Sequence, residues 1–226
     1  MIFQPLASSS AGNACLVTSR GTRILLECGL PMATLRRRLP CLLGELSACL
    51  ITHEHGDHAR SASELLRRGV PVHCSAGTAD ALGLVGASVL RAGEGAQIGE
   101  VAITPIAAVH DAAEPLAFVL DDGADRLLFA TDTAALPWHV PGLTLAAIEA
   151  NYAVDLLPDD MPAPQRQRLA DSHLSLAGAL EWLARTDRSR LREIHLLHLS
   201  RDHSDEARFV GEIQAATGIP CYVAPE

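Results

Sequence analysis

The sequence predicts an α/β fold of two β-sheets covered by helices, carried by a single domain over residues 1–226. Three observations lead there. Short apolar runs closed by Gly, Asn or Asp are interleaved with helical periods along the whole chain, and the two element types are mixed. No repeat, low-complexity tract or Gly/Ser linker divides the chain. Hydrophobic residues make up 48% and charged residues 20% of 226 positions, so a sizeable core can form.

The elements follow in order. Strands are predicted over 2–7, 14–19 and 22–27, separated by the turn signals "GN" and "RG". "MATLRRRL" reads as a short helix and "ACLIT" as an apolar strand. "DHARSASELLRRG" has helical spacing at Ala62, Leu65 and Leu66 and closes at Gly69. "VPVHC" is a strand and "AGTADALGL" a helix; "VAITPIAAV", "LAFVL" and "RLLFAT" are strands with "DDG" as a turn. "LTLAAIEA" is a buried strand, and helices are predicted near 151–157, 163–170 and 175–185. "EIHLLHL" is a strand, 204–216 a helix and "IPCYVA" a last strand.

Bulk properties exclude several classes. No apolar run approaches the roughly 18 residues of a membrane span, and "MIFQPLASSSAGN" lacks the basic start and apolar stretch of a signal peptide. The six cysteines form no CxxC pair, so reduced, mostly buried thiols and a cytoplasmic location are expected. A net charge of −9 argues against non-specific nucleic-acid binding by the bulk field, although a metal centre would supply local positive charge. Every basic residue is arginine, which reads as genome composition and carries little functional weight.

The informative stretch is "ITHEHGDHAR", with His53, His55, Asp57 and His58 directly after an apolar strand. At this composition a chance H-x-H-x-D-H arises in roughly one such chain per thousand. His53 and His55, two apart in extended backbone, point the same way, and Asp57 and His58 open the next helix. Solvated loop histidines are the weaker reading. Imidazole suits zinc, and bridging two ions needs a carboxylate. Polar residues that close other apolar strands are His110 in "ITPIAAVHDA", Asp132 in "LLFATDTA" and His198 in "IHLLHLS". His195, three before His198, faces the other side of its strand and is left out.

With these residues in place the sequence resembles the metallo-β-lactamase superfamily across essentially its whole length: Thr-His-x-His-x-Asp-His, then a His, an Asp and a final His. The resemblance implies a four-layer αββα sandwich with a dinuclear metal site. It assigns His53, His55 and His110 to one ion, and Asp57, His58 and His198 to the other, with Asp132 bridging. Two divalent ions are implied; zinc is the default, manganese or iron the alternatives. "SSSAGN", "VHDAAEP", "EANYAVDLL" and the paired "HLS" at 173–175 and 198–200 are similar to the YycJ/WalJ-like branch, regarded as 5′-to-3′ exonucleases. Two departures stand out. Glu27 in "LLECG" replaces the Asp that normally orients the motif, and "HLSL" replaces "HLSN".

Three functions are therefore weighed. The first is a phosphodiesterase acting on nucleic-acid ends through a metal-bridging hydroxide, with Asp57 or Asp132 orienting the water and His173 protonating the leaving oxygen. The second is a glyoxalase-type thioester or lactone hydrolase on the same site. The third, a non-catalytic module with a structural metal, is disfavoured by the complete ligand set. Ser8–Asn13 reads equally as an ordinary turn or as a phosphate-facing loop, and Asn151 as a tie between loops near the site. "LRRRL" at 35–39 reads as a solvated helix face.

Overall fold

The structure, a computed structural model, describes residues Met1–Glu226. It divides into two compact units. One comprises Met1–Ala107, Ala112–Ala124 and Pro225–Glu226; the other comprises Ala108–Asp111 and Asp125–Ala224.

The first unit begins with β1 (Ile2–Ala7), β2 (Ala14–Ser19) and β3 (Thr22–Leu26), an antiparallel run. It continues through α1 (Met32–Arg38), β4 (Ala48–Leu50), α2 (Gly56–Ala59), α3 (Ala62–Arg67), β5 (Val72–Cys74), α4 (Ala76–Leu82) and β6 (Ser88–Val89). The sheet order is β1-β2-β3-β4-β5-β6, and from β3 onward neighbours are parallel, with Leu26 opposite Leu50. β7 (Ala96–Ile98), β8 (Val101–Ala107) and β9 (Leu116–Asp121) add an antiparallel run. Leu6, Leu16, Leu25, Leu35, Ile51 and Leu65 belong to one buried cluster. Leu35 is the only buried residue of α1, so Arg36 and Arg37 of "LRRRL" stay outside.

The second unit contains β10 (Arg126–Ala130), β11 (Leu145–Glu149), α5 (Ala163–Ser172), α6 (Leu176–Arg185), β12 (Glu193–Leu197), α7 (Glu206–Thr217) and β13 (Cys221–Val223). All four strands are parallel, with Leu128 opposite Ala146 and Ile148 opposite Leu196. Parallel strands buried on both faces need continuous apolar runs. "LLFA", "LAAIE" and "IHLL" are buried at every position. Because the strands run the same way in register, the residues after β10, β11 and β12 emerge at one edge, where open α/β sheets place ligands. Asp132, Glu149 and His198 lie at these three ends.

Two expectations are corrected. The helix predicted over 57–69 is two helices, because Asp57 O accepts from Asn13 N (2.7 Å) and Asn13 Nδ2 (3.2 Å) while Ser61 N donates to Cys28 O (2.9 Å). The i→i−4 ladder is thus interrupted at Ser61. The helix predicted near 151–157 is a single 3-10 turn, Val154–Leu156, since Pro158 biases Leu157 toward extended backbone (ψ 136). The short strands β6 and β7 were not predicted; two or three residues carry too little periodicity. No helix is long and apolar enough to cross a membrane. All six cysteines are free, and burial pushes the Cys221 thiol up to about 12, where it is inert as a nucleophile.

Candidate metal centre

In the first unit, β4 delivers the motif. Beyond Leu50 the chain passes Thr52, whose Oγ1 lies 2.8 Å from His53 Nδ1 and fixes that ring. His53 Nε2 then faces His55 Nδ1 at 3.0 Å, and the His53 ring lies 4.2 Å from that of His58, centroid to centroid. Asp57 Oδ2 is 3.4 Å from His58 Nε2. The four motif residues are thus brought together.

What holds the motif in place is backbone. Asn13 N and Nδ2 grip Asp57 O, Cys28 N donates to His58 O (2.8 Å), and Gly29 N donates to Asn13 O (2.9 Å). A Cβ on Gly29 would sit 1.6 Å from Asp57 O, so only glycine permits this approach. The Ser8–Asn13 loop is accordingly a clamp on the motif: Ser8 N donates to Pro225 O, Ser8 Oγ to Asn13 Oδ1, and Gly12 N to Ser9 O. Glu27 is fully buried and accepts from Thr52 N (3.2 Å), with Oε2 3.7 Å from His58 Nδ1. The longer side chain thus still reaches the motif, and burial raises its pKa against the opposing pull of His58 and Thr52.

In the second unit, Asp132 is the centre. Its Oδ2 lies 3.8 Å from His110 Nε2 and 3.8 Å from His198 Nε2, and Thr131 Oγ1 donates to its Oδ1 (2.7 Å). The His110 ring is aimed by Nδ1, 2.7 Å from Ser172 O. Asn151 Nδ2 donates to His198 O (2.7 Å), which makes Asn151 the tie to the His198 loop. His195 packs instead against Tyr222 and pairs with Glu193.

Glu149 went unread in the sequence. It is fully buried, accepts from Thr133 N (2.9 Å) and Leu174 N (3.0 Å), and meets His173 Nδ1 at 2.6 Å. Burial works against the charged forms of both partners, but their mutual attraction prevails. The His173 pKa is raised and that of Glu149 lowered. His110 titrates the other way, lowered by burial despite Asp132. His173 stacks parallel to His198, with centroids 5.5 Å apart.

Backbone strain marks the same residues. Of four non-glycine residues with positive φ, one is Arg20 in the β2–β3 turn. The others are Glu27 (66), Asp132 (38) and His198 (52), each just past the end of a site strand. Such conformations persist only where the surroundings impose them.

The donor set suits a divalent ion. A ligand atom of Asp132 and one of His198 lie within 4.8 Å of each other, while Glu149 and His173 beside them are engaged with one another at 2.6 Å. The 3.8 Å spacings around Asp132 are near the about 3.4 Å expected between two donors on a tetrahedral ion with 2.0–2.1 Å bonds. The imidazoles and carboxylates are those that zinc, manganese and iron accept.

Comparison with known proteins agrees. A family model described as a β-lactamase superfamily domain matches residues 22–196. The exodeoxyribonuclease WalJ of Streptococcus pneumoniae serotype 2 (strain D39) is 31% identical over 228 residues, covering 89% of this chain and 82% of that protein. The exodeoxyribonuclease YycJ of Bacillus anthracis is 26% identical over 220 residues, covering 89% and 83%. The solved metallo-β-lactamase fold protein YhfI from Bacillus subtilis overlays with a TM-score of 0.78 at 16% identity, covering 99% of this chain and 95% of that one. The fold class is therefore the αββα sandwich expected from the sequence. The chain belongs to the metallo-β-lactamase superfamily, in its WalJ/YycJ-like branch, and is a metal-dependent hydrolase.

Proposed function

We propose that the chain works as one hydrolase domain with a dinuclear centre, and that it is a phosphodiesterase trimming nucleic-acid ends in the 5′-to-3′ direction. His53, His55 and His110 would hold one ion, and Asp57, His58 and His198 the other, with Asp132 shared. The observation that carries this reading is the place of Asp132 Oδ2, equidistant at 3.8 Å from the two histidines assigned to different ions. The names of the two exodeoxyribonuclease relatives support the substrate.

Two bound ions would supply an activated water at neutral pH and neutralise charge on the non-bridging phosphate oxygens. The chain's own groups do the rest. Asp132 and Asp57 orient the attacking water. Glu149 holds His173 by Nδ1, which leaves Nε2 to carry a proton to the leaving oxygen. The raised His173 pKa keeps that proton in place to higher pH.

The test is elemental analysis of protein purified without chelator, run beside turnover of bis-p-nitrophenyl phosphate, a thioester and a 5′-labelled oligonucleotide. About two ions per chain and shortening of the oligonucleotide from its end are expected. One ion at full occupancy would refute the dinuclear centre. Thioester turnover with intact DNA would replace the nuclease with a thioesterase.

A further inference from the structure

Beside His110 the second unit has a cavity of about 560 Å³. Val109 and His110 form one wall, and α5 forms the other with Pro164, Gln167 and Arg168. α5 itself is unusual. Of its ten residues only Ser172 is buried, so the helix contributes almost nothing to the core. A helix polar nearly all round has to be held by something else; here its C-terminal end accepts the His110 ring at Ser172 O. The cavity therefore shares a wall with the reacting site and is built from a helix with little structural use.

Its chemistry is specific. Arg168 makes no hydrogen bond or ion pair, leaving its guanidinium uncommitted. Gln167 Nε2 donates to Asp171 Oδ1 (2.8 Å), which leaves the Gln167 carbonyl and Asp171 Oδ2 as acceptors. Asp111 adds another carboxylate to the lining. Val109, 46% exposed, and Pro164 offer apolar surface. One cation beside two carboxylates is wrong for a run of phosphates, which needs several cations. One cation, two apolar faces and spare acceptors suit a single nucleotide: a phosphate on Arg168, a base or sugar face on Val109 and Pro164, and amino groups on the acceptors. The volume lies within the roughly 300–1,000 Å³ of small-molecule sites.

We propose that this cavity is the subsite for the terminal nucleotide of the strand and that Arg168 binds its 5′-phosphate. The proposal rests on the nuclease reading for its place in the reaction, and on the cavity alone for its ligand. It limits engagement to one nucleotide at a time, so the product is a nucleoside 5′-monophosphate.

The experiment uses metal-loaded protein and two readouts. In calorimetry, deoxycytidine 5′-monophosphate should bind more tightly than inorganic phosphate. Arg168→Ala should weaken the nucleotide about tenfold, the size one charge-assisted hydrogen bond supports. Arg166→Ala, on the same helix but bonded to Pro158 O, serves as the control and should match wild type. In kinetics, KM for a 5′-phosphorylated single-stranded oligonucleotide should rise about tenfold in Arg168→Ala, with Arg168→Lys recovering part of the loss. Wild-type nucleotide affinity in Arg168→Ala, or nucleotide binding no tighter than phosphate, overturns the subsite. If the nucleotide binds through Arg168 but wild-type protein shortens no oligonucleotide, the subsite stands and the nuclease reading falls.

Discussion

Glu149 shows how a residue escapes a reading of the sequence. It ends the apolar run "LAAIE", as Asp132 follows "LLFA", yet the whole run "LTLAAIEA" reads as one buried strand, which hides the carboxylate between apolar neighbours. A signal was present: a carboxylate closing a buried parallel strand has to be partnered. His173, 24 residues on, is that partner. Glu149→Gln should lower turnover by about 10²–10⁴, the range of one acid–base group. The sign of the pH effect follows from the shifts. His173 is held protonated by Glu149, so activity that needs the imidazolium is lost as pH rises through its raised pKa. Removing the charge lowers that pKa, and the alkaline limb of kcat should move to lower pH. An unmoved limb would show that Glu149 does not act through His173. Asp132→Ala should abolish turnover while circular dichroism stays native, because its side chain meets site residues rather than the core.

At the scale of elements, the parallel strands were legible because apolar runs buried on both faces have no competing period. The ends of two parallel strands gave Asp132 and His198, and the end of the antiparallel β8 gave His110, because a polar residue that stops an apolar run is conspicuous. The break between α2 and α3 was not legible. It comes from Asn13 and Cys28, distant in sequence, which take hydrogen bonds that helical spacing alone would have left within one helix. The role of the "SSSAGN" loop as a clamp was not legible for a related reason, since the partner of Asn13 is the carbonyl of Asp57 and no spacing rule reports that. The approach of Gly29 to Asp57 makes a sharp prediction. Gly29→Ala forces a backbone shift and should cost about 3 kcal/mol or more of stability, the upper end for overpacking. Chemical denaturation would read it, and metal content should fall with it. A variant of unchanged stability would mean that the clamp yields easily.

For the whole molecule, charge and metal set the behaviour. With a net charge of −9 and one uncommitted arginine at the proposed subsite, few counterions should be released on binding DNA, and the salt dependence of KM should be shallow. A covalently closed circle should resist attack at any salt concentration, while a linear oligonucleotide is shortened; efficient cutting of the circle would defeat end-trimming. Chelation should lower Tm by about 5–10 °C, the shift expected when an ion bound well above its Kd is lost. Thermal melts with and without dipicolinate would measure it. The left-handed backbone at Glu27, Asp132 and His198 has a further consequence for heredity. Glycine or asparagine would sit more easily at each of these positions, by about 1 kcal/mol where the buried neighbours can adjust. Libraries varied at the three sites and selected for heat resistance alone should therefore drift toward those residues and lose turnover. For this lineage, purifying selection on catalysis would have to oppose a standing mutational pull toward sturdier, inactive descendants.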